Sequence, residues 1–314
     1  MKHDYWSFTS FNNIANLSLI KSLRWRCYDT VKIYASGCFA NDDYKGNPVA
    51  VVFGADYLTD RQMQDIARWT NLSETTFVCQ PDNELADYRL RIFTPNNELP
   101  FAGHPTVGAS FAVLQNGMIP KHEHYLMQES GVGLVKIDID QGKTFFSLPE
   151  PKVSQIDVEQ LDGIVKSLDI TNQDIKRAEK VNIGAEWLTL QLKDAQIVKD
   201  LQPKFELMRQ FIYPGTTGVT VFGSYDSEDD AQFEVRSFAP NEGVNEDPVC
   251  GSGNGCVAVM VERYDLVKDN EYTNTQGCCI GRNGKINIKQ EQPLKIGGHS
   301  NIIIEGYITV KENK

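Results

Sequence analysis

Two short stretches of the chain put small residues, a side chain able to bind a ligand and the start of an apolar segment in the same order. The first is Ala102-Gly103-His104, followed by an apolar run over residues 105–114. The second is Cys250-Gly251-Ser252, followed beyond Gly253 by an apolar run over residues 255–264. A glycine-rich turn that opens a helix leaves backbone N–H groups unpaired at the positive end of the helix dipole, which makes it a receptor for a carboxylate or another small anion. Two such turns facing one cleft would hold a small acid between them. The same glycines have a purely steric use as well, since a tight helix start leaves no room for a side chain. The thiol of Cys250 at a helix N-terminus is expected to have a pKa below the free value of about 8.5 and to be the most readily alkylated of the cysteines.

Other chemistries find little support in the residues. Gly251-Ser252-Gly253-Asn254-Gly255 is superficially like a dinucleotide loop but lacks the G-x-G-x-x-G spacing and the βαβ setting, and no P-loop pattern occurs. The seven cysteines stand at 27, 38, 79, 250, 256, 278 and 279 with no C-x-x-C pair, against a zinc ribbon or a thioredoxin-like redox site. Adjacent Cys278 and Cys279 are expected to be two reduced, partly buried thiols. His122 and His124 flank Glu123 without a third ligand, and His3 and His299 have no suggestive neighbours. No metal site and no cofactor are therefore expected.

The 314 residues carry 31 basic and 42 acidic side chains, for a net charge of −11. Such a surface repels phosphate backbones and anionic lipid, and no basic patch offsets it, so neither nucleic acid nor membrane is an expected partner. No apolar run approaches the roughly 18 residues of a spanning helix. The first 27 residues have no apolar core of signal-peptide length, and a cytoplasmic location is expected.

The elements that must position the two turns are legible as a duplication. Residues 91–96 read Arg-Ile-Phe-Thr-Pro-Asn and residues 236–241 read Arg-Ser-Phe-Ala-Pro-Asn. Ahead of each lies a β-rich run (76–79 and 220–223), an acidic turn and a second strand; after each comes one of the small-residue turns and its apolar segment. The length suggests two domains, and we read residues 1–27 as an N-terminal extension, 28–130 as a first half and 131–314 as a homologous second half. The fold class is α+β. Each half is expected to be a curled, mostly antiparallel, barrel-like sheet around one central helix, because a helix apolar all round must be buried on every side. The last strand of the chain could pack back on the first half. Smaller elements also have signals. Thr59 and Gln62 form a capping pair for a helix over 60–69, and Asp157 and Gln160 for one over Val158–Leu168. Alternation marks strands at 31–34, 49–53, 73–78 and 88–93, hairpins at 135–147 and 286–288, and a run at 302–310.

Three blocks of the sequence resemble a known family: Asn71-Leu72-Ser73-Glu74-Thr75, Leu99-Pro100-Phe101-Ala102-Gly103-His104-Pro105-Thr106, and Glu246-Asp247-Pro248-Val249-Cys250-Gly251-Ser252. Gly46-Asn47-Pro48-Val49-Ala50 and the Arg236–Glu242 stretch agree with it. Together they are similar to the phenazine-biosynthesis-like (PhzF-like) isomerases, from about Val31 to the end of the chain. The resemblance implies the two-domain fold of diaminopimelate epimerase and a cofactor-independent isomerase, usually a homodimer, acting on a small carboxylic acid. It also implies that Glu74 is the general acid/base, with His104, Asp247 and Ser252 around the substrate. The turn residues Gly103, Cys250, Gly251 and Gly253 complete the expected binding site.

Physical chemistry makes that assignment sensible. Moving a proton within a substrate needs a group that takes and returns it near neutral pH, and a carboxyl in a closed apolar site has a raised pKa suited to the task. The sequence departs from the commonest family pattern at Cys250, where threonine is frequent. A cysteine there resembles the two-thiol racemases of the wider superfamily, but the matching place in the first half is Ala102, so the second thiol is missing. Two rival readings follow. One is an amino-acid or hydroxy-acid racemase or epimerase that pairs Cys250 with Glu74, and the other a catalytically silent small-acid binding protein.

Overall fold

The two apolar segments become the two central helices. The computed structural model describes residues 29–226 and 231–310, with six α-helices: α1 (Asp60–Thr70), α2 (Gly103–Gln115), α3 (Val158–Leu168), α4 (Ala195–Asp200), α5 (Phe205–Met208) and α6 (Gly251–Arg263). Helices α2 and α6 have no polar face and are buried along nearly their whole length. Strands Asn47–Phe53, Thr75–Cys79, Tyr88–Phe93 and Lys143–Ser147 surround α2. Strands Ile175–Asn182, Glu186–Leu192, Gly218–Ser224, Gly284–Lys289 and Lys295–Gly298 surround α6. Close packing on α2 depends on Gly108, where an added Cβ would lie 2.5 Å from both Cys38 Sγ and Val49 Cγ1.

The strand pairing repeats in two copies, but the first copy runs on through Lys143–Ser147 rather than ending at residue 130, because the 135–147 hairpin pairs with Tyr125–Ser130. In the first copy Asp29–Cys38 runs antiparallel to Asn47–Phe53, which runs parallel to Thr75–Cys79, which is antiparallel to Tyr88–Phe93. The second copy repeats that order with Ile175–Asn182, Glu186–Leu192, Gly218–Ser224 and Phe233–Phe238. Each copy then adds a parallel neighbour that leads into two antiparallel strands: Tyr125–Ser130, Gly133–Asp140 and Lys143–Ser147 in one, and Glu271–Gln276, Gly284–Lys289 and Lys295–Gly298 in the other.

The copies are joined through matching strands. Lys143–Ser147 pairs antiparallel with Lys295–Gly298. The strand after each hairpin crosses to the first strand of the other copy: Lys152–Ser154 pairs with Ile175–Asn182, and Ser300–Val310 pairs with Asp29–Cys38. The result is an α+β fold of the diaminopimelate epimerase-like kind, with mostly antiparallel sheet curled around two helices.

Outer helices cover what the central ones leave bare. Helix α1 has the expected capping box, with Thr59 Oγ1 accepting from Gln62 N and the Gln62 side chain accepting from Thr59 N. Asp157 caps α3 through the N–H groups of Glu159 and Gln160, but the Gln160 side chain does not reach back. It donates instead to the Phe211 carbonyl at 2.8 Å, tying α3 to the chain beyond α5. Helices α3 to α5 close a second apolar core against the outer face of Glu186–Leu192 and Gly218–Ser224, containing Leu188, Leu190, Leu192, Val219 and Val221. Among the described residues no helix is long and apolar enough to cross a membrane.

Candidate active site

The two glycine turns meet. Ala102 and Cys250 are the N-caps of α2 and α6, both in extended backbone. An ideal Cβ on Gly251 would stand 3.3 Å from His104 N and 3.6 Å from Gly103 Cα, and one on Gly103 would stand 2.9 Å from Phe146 Cζ. The steric use of these glycines is therefore real, and it brings two sets of helix N-terminal amides to one place.

Three ionisable side chains gather at this junction. Glu74, directly ahead of strand Thr75–Cys79, places Oε2 3.3 Å from Nε2 of His104 on the first turn of α2. Neither atom has a hydrogen-bond partner among the described residues. Asp247, from the segment leading into α6, interacts electrostatically with both. Burial sets their protonation. It pushes the Glu74 carboxyl up to about 7, against a smaller opposing effect of the Ser73 hydroxyl. It pushes His104 down to about 4, despite the charge of Asp247 and the Pro48 backbone. Asp247 rises to about 6, mostly through burial, with the Val249 N–H and the His104 ring acting the other way.

At neutral pH the Glu74–His104 contact is thus a carboxyl beside a neutral imidazole rather than an ion pair. The Pro48 backbone, which has only a carbonyl to offer, accepts a hydrogen bond from the His104 ring. The two atoms stand 3.3 Å apart without a hydrogen bond between them, and a carboxyl near half-protonation can give up a proton or take one back.

A polar scaffold that the sequence reading did not single out holds Asp247 and the α6 turn. Asn47 Nδ2 donates to Asp247 Oδ1 at 2.9 Å and to the Val249 carbonyl at 3.0 Å. Gln276 Nε2 donates to the Asp247 carbonyl, while its Oε1 accepts from Cys250 N and Asn254 Nδ2. Asn274 extends the chain by donating to Asn254 Oδ1. Ser252 Oγ accepts from the buried indole N–H of Trp187 at 3.0 Å and pairs with Cys250 Sγ at 3.6 Å. Asn47 alone had a signal, in the Gly46-Asn47-Pro48 block. Trp187 and Gln276 sit in ordinary strand patterns.

Cys250 is not the exposed, acidic thiol its place at a helix start suggests. It is 4% exposed, its Sγ accepts from Gly253 N at 3.2 Å, and burial next to the Asp247 charge pushes its pKa well above the ordinary value. Burial outweighs the helix end. Gly253 packs so closely that a Cβ would fall 2.5 Å from the hydroxyls of Ser237 and Thr220.

The remaining candidates lie elsewhere. Cys278 and Cys279 are free and exposed rather than partly buried, with sulfurs 3.7 Å apart. His122 stacks on Tyr125, and His124 has Glu123 beside it on the exposed surface. Cys27 and His3 lie outside the described residues.

The fold and the paired helix starts define a duplicated α+β scaffold with two central helices whose N-termini meet. The family model described as "Phenazine biosynthesis-like protein" matches residues 37–306, and the chain belongs to that family. It is 39% identical over 284 residues to "Antisense-enhancing sequence 1" of Schizosaccharomyces pombe, covering 85% of this chain and 95% of that one. It is 32% identical over 246 residues to the trans-2,3-dihydro-3-hydroxyanthranilate isomerase of Pseudomonas fluorescens, with 78% and 84% covered. The crystal structure of a Bacillus anthracis phenazine biosynthesis protein of the PhzF family superposes with a TM-score of 0.78 at 22% identity, over 90% of this chain and all of that one.

Proposed function

We propose that this isomerase moves a proton within a small carboxylic acid bound where the α2 and α6 turns meet, with Glu74 as general acid/base and no cofactor. The observation that carries the reading is the Glu74–His104 pair: two buried atoms 3.3 Å apart, neither with a hydrogen-bond partner among the described residues, on a carboxyl raised to about 7 and an imidazole lowered to about 4. A carboxyl near half-protonation at neutral pH suits both halves of a proton transfer. The neutral imidazole puts no positive charge beside the carboxyl to hold it ionised. Backbone N–H groups of Gly103 and Gly251 and the hydroxyl of Ser252 are the groups for the substrate carboxylate, and Asp247 is the acceptor for a substrate donor.

Proton transfer through an exchangeable carboxyl leaves an isotopic record. In deuterated water the protein should place solvent deuterium on a carbon of its substrate. The panel should contain trans-2,3-dihydro-3-hydroxyanthranilate, the compound for which the Pseudomonas relative is named, together with small amino and hydroxy acids. Exchange that persists at the wild-type rate in folded Glu74→Gln protein would overturn the role given to Glu74.

A further inference from the structure

Asn47 is buried, opens strand Asn47–Phe53 in the first copy, and spends its side chain on the second copy. Both groups facing its amide nitrogen, Asp247 Oδ1 and the Val249 carbonyl, are acceptors, so the nitrogen and not the oxygen must face them. The same Oδ1 also accepts from Val249 N at 3.0 Å. Two N–H donors from different parts of the chain therefore converge on one oxygen of the Asp247 carboxylate, and the carboxylate can no longer turn.

We propose that Asn47 is the positioning residue of Asp247: by tying Oδ1 it fixes Oδ2 as the oxygen presented to the His104 side and to a ligand, and it holds the carboxylate in its charged form. The part of this inference that concerns a ligand rests on the function proposed above; the part that concerns Asp247 does not. The ionisable groups facing Asp247 are His104 from the start of α2, Glu74 from the head of strand Thr75–Cys79, and Cys250 at the N-cap of α6. Burial and the Glu74 charge oppose ionisation of Asp247, while the His104 ring, the Val249 N–H and Cys250 favour it; the Asn47 amide adds a second donor on Oδ1 at 2.9 Å.

The test needs no substrate. Protein labelled with 13C at the aspartate carboxyl carbon is titrated by NMR, and the Asp247 resonance is assigned by its loss in Asp247→Asn. Removing a hydrogen bond to a charged group should raise the Asp247 midpoint by about one to two pH units in Asn47→Leu. Asn47→Ala, which only truncates the side chain, carries the same expectation if the leucine variant does not fold. Repeating the titration in a Glu74→Gln background separates the effect from coupling to Glu74. An Asp247 midpoint within 0.2 units of wild type (a bound set by roughly the precision of such titrations) in a folded Asn47 variant overturns the inference. Failure of the isomerase reading would leave this measurement intact.

Discussion

Arg236 grips Glu246 at two points, Nε to Oε1 at 3.0 Å and Nη2 to Oε2 at 2.8 Å, with both side chains less than a tenth exposed. Its third nitrogen donates to the carbonyls of Val198 and Leu201. Arg91 makes the same fork with Glu98, at 2.7 Å on both arms, and sends its third nitrogen to Asp60. These are the arginines of the repeated Arg-x-Phe-x-Pro-Asn stretch. In each copy the strand that carries the repeat clamps the segment leading into the central helix; in the first copy Glu98 opens a two-residue strand, Glu98–Leu99, paired with that strand. In the second copy the clamped residue is the immediate neighbour of Asp247.

The two clamps should differ in strength, because only the second is dry. Glu246→Ala leaves a buried guanidinium without its counter-charge, and we expect a loss of about 3–5 kcal/mol in unfolding free energy by denaturant titration. Glu98→Ala acts on a pair whose carboxylate is 42% exposed, and its cost should stay near 1 kcal/mol or below. Equal losses would show that the second clamp is not the structural anchor described here.

That repeat shows what a sequence makes legible and what it does not. Arg91 and Arg236 stand out because each is followed by the same Phe-x-Pro-Asn spacing. Their partners Glu98 and Glu246 do not, because the intervening loops differ in length and the match is made in space. Helices α2 and α6 are visible for a physical reason: uninterrupted apolarity has one solution, full burial. The strand Ile175–Asn182 carries no signal in the sequence, because Lys176, Arg177, Glu179 and Lys180 mask any alternation. It is held by its neighbours on both sides rather than by its own pattern. Glu74, His104, Asp247 and Ser252 were reached through motif blocks, whereas Trp187 and Gln276 act through contacts across the sheet that no local spacing encodes. The thiol of Cys250 was misjudged because a helix end is a local feature and burial is a tertiary one.

Glu74→Gln should lower turnover by on the order of 10²–10⁴ while keeping substrate binding, since shape and hydrogen bonding remain and the exchangeable proton does not. Steady-state kinetics on the compound that shows deuterium exchange would check this.

The same substitution should raise stability, and the sign depends on pH. The Glu74 carboxyl titrates at about 7 in the folded chain against an ordinary 4.5. Between those values the folded state holds a proton that the unfolded state has released, so this group's contribution falls as pH rises through the window. Below pH 4.5 both states are protonated and the penalty is absent; above 7 it is complete. Glu74→Gln should therefore match wild type near pH 4 and exceed it by up to roughly 3 kcal/mol at pH 8. Urea unfolding at the two pH values measures the difference. A variant less stable than wild type at pH 8 would contradict the buried carboxyl.

Gly251 tests the contact between the helix starts. An alanine there would press a methyl to 3.3 Å from His104 N and 3.6 Å from Gly103 Cα, both backbone atoms of the facing helix. We expect Gly251→Ala to cost about 1–3 kcal/mol. Gly251→Val should force the turns further apart and abolish deuterium exchange while the chain still folds, as read by circular dichroism. Unchanged stability and exchange in Gly251→Val would mean that the turns are not held together.

The choice between a carboxyl isomerase and a thiol racemase comes down to Cys250. A two-base inversion needs a proton acceptor on each side of one carbon, and the position of α2 that matches Cys250 is Ala102, which has no ionisable side chain. Cys250 itself is buried, accepts the Gly253 N–H, and has its pKa raised rather than lowered. Limited alkylation followed by mass spectrometry should accordingly mark the exposed pair Cys278 and Cys279 before Cys250, Cys38 or Cys256, which are buried. Cys250→Thr then separates the chemistries. A threonine hydroxyl can accept from Gly253 N in the thiol's place but is far too weak an acid to exchange a substrate proton. If Glu74 moves the proton, the variant should keep activity within about tenfold of wild type, roughly 1.4 kcal/mol of barrier. If Cys250 is one of two bases, activity should drop by several orders of magnitude while Glu74→Gln retains partial exchange. The burial of the thiol and the alanine opposite it favour the mild outcome, and a folded but inactive Cys250→Thr protein would make the racemase the better reading.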